Sequence, residues 1–291
     1  MTEYKGTLIP IGGNEDKGMG PNEMYTLDFI ERGILSRVVK EAGGTAAKIV
    51  VITTASSIPV EVGNNYLHAF RTLGCTHVDV LHIRSIEAAE DLNHLRHIHN
   101  ADCVLFSGGD QSKIVKYIGN TQMHVELVSR LMDGKFVLAG TSAGAMSMSH
   151  EMIAGSGPPE SLIKGNIKMS RGMSLLDNVI IDTHFIQRGR FGRLAEAVAR
   201  HPRLLGIGLA EDTGLVIRRG NDCEVIGSGM VILFDPRHLS HNNYDVLESG
   251  TPMSLSNLTT HVLATGDRFK IRERSLKILP LESYLEAQVK S

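Results

Sequence analysis

Residues 140–144, Gly140-Thr141-Ser142-Ala143-Gly144, hold one serine between two glycines. The segment follows the apolar run Val137-Leu138-Ala139 and leads into small, helix-compatible residues. It fits G-x-S-x-G, in which a serine rides on a sharp strand-to-helix turn. The glycines have a physical task, because a turn that tight closes only beside residues without side chains, and substrate approaches through the space they leave. A helix starting there aims N–H groups and its positive end at the serine. The chemistry this predicts is nucleophilic attack by Ser142, which needs a base and an orienting acid.

The chain has 13 histidines. His94, His97 and His99, in DLNHLRHIHN, read as the solvated face of a polar helix, and their spacing matches no common zinc ligand set. His184 is different. It follows Val179-Ile180-Ile181 at the end of an apolar strand, where parallel sheets gather their ligands, and is the candidate base. Three acids are open. Glu211 and Asp212 end the strand Gly206 to Ala210, while Asp182 lies two residues before His184, on the same strand face. The order serine, histidine, acid is not the serine, acid, histidine order of the α/β-hydrolases.

The elements that must position these residues follow from periodicity. Gly6–Ile11, Lys48–Thr53, Val78–Ile83, Cys103–Phe106 and Phe136–Leu138 read as strands. The stripe Leu27, Ile30, Ile34, Val38 and the stripe Met123, Leu127, Leu131 read as helices. Strand then helix, repeated, predicts an α/β fold: a mostly parallel central sheet with helices on both faces. The second half is strand-rich, with closely spaced candidates at 179–182, 205–209, 214–218, 224–226, 230–234, 261–264 and 276–279. One helix sits among them, with Phe191, Leu194, Ala195 and Val198 on its apolar side. No repeat or linker interrupts the chain, so residues 1–291 are expected to form a single catalytic domain. The loop GSGPPES, 155–161, is the most flexible-looking interior stretch, of the kind that borders sites.

Composition narrows the functional classes. In 291 residues there are 30 glycines, no tryptophan and 5% aromatics, so the core must be largely aliphatic, which suits strands covered by helices. A net charge of −2 without charged blocks speaks against nucleic acid or a membrane surface as partner. No apolar run approaches the roughly 20 residues of a bilayer span, and the N-terminus lacks the layout of a signal peptide. Cys75, Cys103 and Cys223 are too few and too scattered for a disulfide framework or a zinc site. The expectation is a soluble, cytoplasmic protein that needs no cofactor and no metal.

Five segments carry a resemblance: GTLIPIGG, FSGGDQSKI at 106–114, GTSAGAMSM at 140–148, DTHFIQRGRFGRL at 182–194 and GIGLAEDTGLVI at 206–217. With these, the chain resembles the cyanophycinase family of serine-type exopeptidases, within the peptidase E superfamily. The resemblance implies a fold related to class I glutamine amidotransferases, with serine where those enzymes keep cysteine. It implies Ser142, His184 and Glu211 as nucleophile, base and acid, and a homodimer. It also implies cyanophycin as substrate, a poly-aspartate chain carrying arginine on each β-carboxyl, from which β-Asp-Arg dipeptides are released.

In that setting the oxyanion is expected to meet Ala143 N–H and a donor from Gly109, in the turn Gly108-Gly109-Asp110. Gln187, Arg188, Arg190 and Arg193 start just after the base, and the arginine fork suits the carboxylates of the polymer or of aspartyl-arginine peptides. Gln111, Asp182 and Asp110 are candidate acceptors for the substrate's guanidinium groups. Two other readings share this chemistry or its scaffold. One is a peptidase E-type dipeptidase cutting after an N-terminal aspartate, and the other is a non-catalytic protein binding aspartyl or arginyl ligands.

Overall fold

The computed structural model describes residues 4–20, 27–157 and 162–279. Among these, the first half runs β1 (Thr7–Ile11), α1 (Ile34–Glu41), β2 (Lys48–Ile52), α2 (Pro59–Thr72), β3 (His77–Leu81), α3 (Ile86–Glu90), α4 (Leu92–Asn100), β4 (Cys103–Phe106), α5 (Gln111–Ile118), α6 (Gln122–Asp133) and β5 (Val137–Thr141). The short helix α7 (Ala143–Met146) and the hairpin β6 (Glu151–Ser156) and β7 (Ile167–Arg171) follow, then β8 (Val179–Asp182), α8 (Phe191–Arg200), β9 (Leu205–Leu209), β10 (Thr213–Arg218), β11 (Asp222–Gly227) and β12 (Val231–Asp235). The chain continues through β13 (His241–Asn242), β14 (Leu255–Ser256), β15 (Thr259–Leu263), β16 (Arg268–Lys270) and β17 (Ser275–Lys277). Polar side chains start several of the helices. Ser85, Asp91, Asp110 and Thr121 each accept a backbone N–H at the N-terminus of α3, α4, α5 and α6, satisfying donors that the helix leaves open.

Among the described residues, nine strands form one sheet in the order β17-β16-β11-β10-β1-β5-β4-β2-β3. From β1 to β3 neighbouring strands are parallel. Alternation along these strands fills two layers. Leu8, Val50, Ile52, Val104, Phe106 and Leu138 pack with Ile98, Ile114, Ile118 and Leu127 of α4, α5 and α6. Ile9, Ile49, Val51, Leu105 and Ala139 pack on the other face with Ile34, Val38, Tyr66 and Phe70 of α1 and α2. A four-stranded sheet, β15-β12-β9-β8, lies over the far half of the large one. Ile181, Ile207, Leu209 and Leu233 share a core with Leu215, Ile217 and Val225. Its outer face is covered by Leu194 and Val198 of α8.

Three expectations need correction. The large sheet is mixed rather than mostly parallel, because β10, β11, β16 and β17 join it antiparallel. Two of these pairs are hairpins whose links are too short for a parallel crossover: β16 turns into β17 through residues 271–274, and β10 into β11 through residues 219–221, where Arg219 and Gly220 are both at positive φ. The stripe from Leu27 overshoots, since α1 begins at Ile34 after Gly33 and Ile30 is exposed. Phe191, at the start of α8, is exposed as well, although its ring edges onto Phe234 at 4.8 Å. Residues 158–161 of the GSGPPES loop lie outside the described residues.

The tightest backbone approach between the sheets is at Gly12, just past β1. A Cβ built there would lie 1.8 Å from the carbonyl oxygen of Ala210, past the end of β9. Gly12 N–H donates to Thr213 O at 2.7 Å and Ala210 N–H to Met230 O at 3.2 Å, so both backbones are held in place. Gly12→Ala is expected to lower unfolding stability by about 3 kcal/mol or more, whereas Gly134→Ala, with open space around its Cβ, is expected to change it by about 1 kcal/mol or less. Urea unfolding followed by circular dichroism checks both, and similar midpoints for the two variants would contradict the contact.

Candidate active site

β5 delivers Thr141, and the chain turns at Ser142 with φ 52° and ψ −110° before α7 begins. For a non-glycine residue this backbone is uncommon and strained. The flanking glycines are explained by contact. A Cβ on Gly140 would sit 2.6 Å from the carbonyl carbon of Gly144, and one on Gly144 would sit 2.5 Å from Phe106 O. Both hydrogens are therefore what lets α7 fold back against the strand ends. Ser142 N–H donates to Ile11 O at 2.9 Å.

His184 lies just beyond β8, at φ 48° and 7% exposed. Its N–H donates to Gly12 O at 2.8 Å. Its Nε2 is 2.9 Å from Ser142 Oγ and its Nδ1 is 2.6 Å from Glu211 Oε1. Glu211 as a carboxylate can only accept, so Nδ1 carries the ring proton and Nε2 offers its lone pair to the serine hydroxyl. Burial lowers the imidazole's pKa below its ordinary 6.5. The cations Arg188 and Arg190 push the same way, while the Glu211 contact opposes them. Gly13 is shaped for this ring: a Cβ there would lie 2.4 Å from His184 Cε1.

Of the three open acids, Glu211 is the one on the imidazole. Asp212 accepts instead from Asp16 N–H at 3.1 Å and from the Ser228 hydroxyl. Asp182 is fully buried, and Arg193 grips it in a two-toothed pair, Nε on Oδ2 at 2.6 Å and Nη2 on Oδ1. Arg190 Nη1 adds a bond to Oδ1 at 3.2 Å. Asp182 and Arg193, two of the expected substrate contacts, are brought together by the fold. Both are buried and use their polar atoms on each other, with Arg193 Nη1 also on Ser156 Oγ at 3.2 Å. They bind α8 and β6 to the end of β8.

The remaining expected residues divide. Arg188 is exposed, and Arg190 is half-buried with its guanidinium pKa pushed down to about 10 by burial. Gln187 is exposed and its Oε1 accepts Glu211 N–H at 3.1 Å, which ties the acid to the loop after His184. Gln111 Nε2 donates to Ile153 O at 2.7 Å, so this side chain braces β6. Gly108 faces the serine, since a Cβ on it would lie 3.8 Å from Ser142 Oγ. Gly109, at φ 140°, packs on the backbone of Ala55, and Ala143 is buried as the first residue of α7.

Two residues escaped the sequence reading. Asn14 Nδ2 donates to Glu211 Oε2 at 3.0 Å, holding the oxygen that His184 does not use. Glu15 is buried beneath the turn and receives the Thr141 hydroxyl at 2.5 Å. The available signal was their position, in polar sequence directly after the Gly12-Gly13 end of a strand that turns out to lie beside β5. Among the described residues no group of three or more histidine, cysteine, aspartate or glutamate side chains has metal-holding geometry. No helix among them is long and apolar enough to cross a membrane.

Residues 31–225 match peptidase family S51. A cyanophycinase of Trichormus variabilis is 36% identical over 272 residues, which cover 94% of this chain and 88% of its own. A cyanophycinase of Geminocystis herdmanii is 34% identical over 270 residues, 92% of this chain and 95% of its own. Among solved structures, a peptidase from an acI-B1 actinobacterium aligns with a TM-score of 0.64 over 93% of this chain and 98% of its own. At 21% identity this is a likeness of fold.

Removing one partner of a buried pair leaves the other charge poorly compensated. Arg193→Met is expected to cost about 3 kcal/mol of unfolding free energy, against about 0.5 kcal/mol or less for Arg188→Ala at the surface. Equal denaturation midpoints for the two would refute the structural role assigned to Arg193.

Proposed function

The chain belongs to peptidase family S51, and from that membership we propose that it is a serine-type exopeptidase that hydrolyses cyanophycin, releasing β-Asp-Arg dipeptides through an acyl-enzyme. The observation that carries the reading is the continuous hydrogen-bonded line Ser142–His184–Glu211, in a chain that aligns with cyanophycinases over more than nine-tenths of its length.

In this mechanism His184 Nε2 takes the Ser142 proton as Oγ attacks the scissile carbonyl, and then gives it to the departing amine. Glu211 keeps the ring in the tautomer with Nδ1 protonated and stabilises the imidazolium that forms. Asn14 and Gln187 keep Glu211 in place. The N–H groups of Ala143 and Gly109 receive the oxyanion. Water then enters by the same base and frees the serine.

Substrate contacts are assigned to the accessible groups. Arg188 and Arg190 take the carboxylates of the polymer. Asp182 and Arg193 act beneath them by fixing Arg190, whose Nη1 also donates to Thr183 O at 2.7 Å. Gln111 and the exposed Asp110 at the start of α5 face the arginine side of the substrate. In fold terms the serine turn after β5 takes the place of the cysteine turn of class I glutamine amidotransferases. The single catalytic domain, the homodimer and the cytoplasmic location expected above belong to the same proposal, the first supported by the apolar core that both sheets share.

Ser142→Ala is expected to reduce turnover by about 10⁶-fold, read by mass spectrometry as loss of β-Asp-Arg from cyanophycin. Cleavage of α-linked Asp dipeptides alone by the unmutated protein would move it to the peptidase E type, and cleavage by the alanine variant would defeat the mechanism.

The base must be neutral to act. Its pKa is lowered, so the active form persists below pH 6.5 and activity falls only as pH drops through that depressed value. Labelling of Ser142 by a sulfonyl fluoride is expected to show an acid limb with its midpoint below 6.5. Arg188→Gln removes one cation that opposes protonation and is expected to move that midpoint upward. A midpoint above 6.5 in the unmutated protein, or a downward move, would contradict the electrostatics.

A further inference from the structure

Glu15 is a carboxylate at 1% exposure, in the segment that follows β1. Burying such a group is costly unless it is paired and hydrogen-bonded, and Glu15 is fully served. Its Oε1 accepts the Tyr66 hydroxyl and lies 3.3 Å from Lys17 Nζ, while its Oε2 accepts the Thr141 hydroxyl at 2.5 Å. Lys17 Nζ also donates to Glu15 O at 3.1 Å and stands 5.1 Å over the Tyr66 ring. Burial alone raises the carboxyl's pKa, but Lys17 and the two hydroxyls outweigh it and hold it below the usual range.

Packing does not require this charge. Tyr66 belongs to an apolar cluster with Ile9, Ile11 and Phe70, and a buried ion pair with its partners is often replaceable as a set by apolar residues without loss of stability. What the charge does reach is the strand end that carries the serine. Thr141 is the residue before Ser142, and Ser142 holds a left-handed backbone that persists only where its surroundings over-determine it. The Ser142 N–H is fixed on Ile11 O. The Thr141 side chain is the second point of attachment, and Glu15 is its anchor.

We propose that Glu15 is a positioning residue for the nucleophile: through Thr141 it fixes the strained turn that aims Ser142 Oγ at His184, with Tyr66 as its second donor and Lys17 as its counter-ion. This rests on Ser142 being the nucleophile. A carboxylate is needed because both hydroxyls donate to it. An amide offers one accepting oxygen, and its nitrogen would force one of the hydroxyls to turn round. The same short segment then serves both ends of the line, Asn14 on the acid and Glu15 on the serine.

The test compares Glu15→Gln, Thr141→Val, their double variant and Thr141→Ser with the unmutated protein, at a temperature where circular dichroism shows each folded. It reads kcat and KM on cyanophycin and the rate of Ser142 labelling by a sulfonyl fluoride. Glu15→Gln and Thr141→Val are each expected to lower kcat and labelling by about 10- to 100-fold, as misplacement of a reacting atom does, with KM within about threefold. Because the two act through one bond, the double variant is expected to lose no more than the worse single one. Thr141→Ser keeps the hydroxyl and is expected to stay within about threefold of the unmutated rate. Multiplying losses in the double variant, unchanged kcat in Thr141→Val with only a lower melting temperature, or a Thr141→Ser variant as slow as Thr141→Val would each overturn the proposal. Thr141→Val and Thr141→Ser decide it alone if Glu15→Gln does not fold. A Ser142→Ala variant that still cleaves would defeat the nucleophile itself, whereas an inactive one beside a fully active Glu15→Gln would defeat only the positioning role.

Discussion

Three successive carbonyls at the end of β1 hold the site together. Ile11 O accepts the N–H of Ser142 at 2.9 Å, Gly12 O that of His184 at 2.8 Å, and Gly13 O that of Asp212 at 2.9 Å. The donors come from the ends of three different segments: β5, β8 and the turn after β9. Two of these belong to the smaller sheet. One strand end of the large sheet therefore sets the relative position of serine, histidine and acid. This is why β1 sits where the parallel and antiparallel halves of the large sheet meet, bordered by β5 and β10. It is also why the two residues after it are glycines. At Gly12 the approach of Ala210 O, and at Gly13 the imidazole itself, occupy the space of a Cβ.

Buried charges do a related job on the other side of the site. Asp182 with Arg193 joins the end of β8 to α8 and, through Ser156, to the hairpin β6–β7. One turn further along α8, Glu196 accepts the N–H groups of Gly165 at 2.6 Å and Ile167 at 3.1 Å. The hairpin is thus pinned at both strands by one helix, and Gln111 holds it from α5 as well. Such contacts are directional where apolar packing is not. They place a two-stranded element, marginal alone, at the border of the site.

What the sequence made legible follows from which signals are local. Ser142 could be found because a strand, two glycines and a helix start are contiguous, and His184 because it closes an apolar strand at the sheet edge. The parallel strands of the first half, most of them apolar on both faces, were readable for the same reason. The pairing of Asp182 with Arg193 was not legible because a run such as DTHFIQRGRFGR does not say which arginines turn inward; α8 carries Arg193 into the core, while Arg188 lies exposed in the turn before the helix. Asn14 and Glu15 were invisible because their partners, Glu211 and Thr141, are brought near only by the fold. The hairpin β6–β7 was missed since its strands are only partly buried and carry no long apolar run. The antiparallel edge was misjudged because strand spacing alone does not give direction.

The last constraint joins backbone strain to those three carbonyls. Ser142, His184 and Asp212 have φ of 52°, 48° and 46°. They are the same three residues whose N–H groups β1 accepts. For residues with a Cβ this conformation costs roughly 1–2 kcal/mol apiece, and a net hydrogen bond returns about 1 kcal/mol. The bond therefore does not make the turn favourable by itself; it selects the turn among alternatives that would leave a buried N–H unpaired. An extended backbone at these positions would carry each chain onward past the sheet edge. The left-handed turn instead stops each chain at the edge, and the side chains of Ser142, His184 and Glu211 converge there. The strain is located where the chemistry is because both arise from ending three segments against one strand.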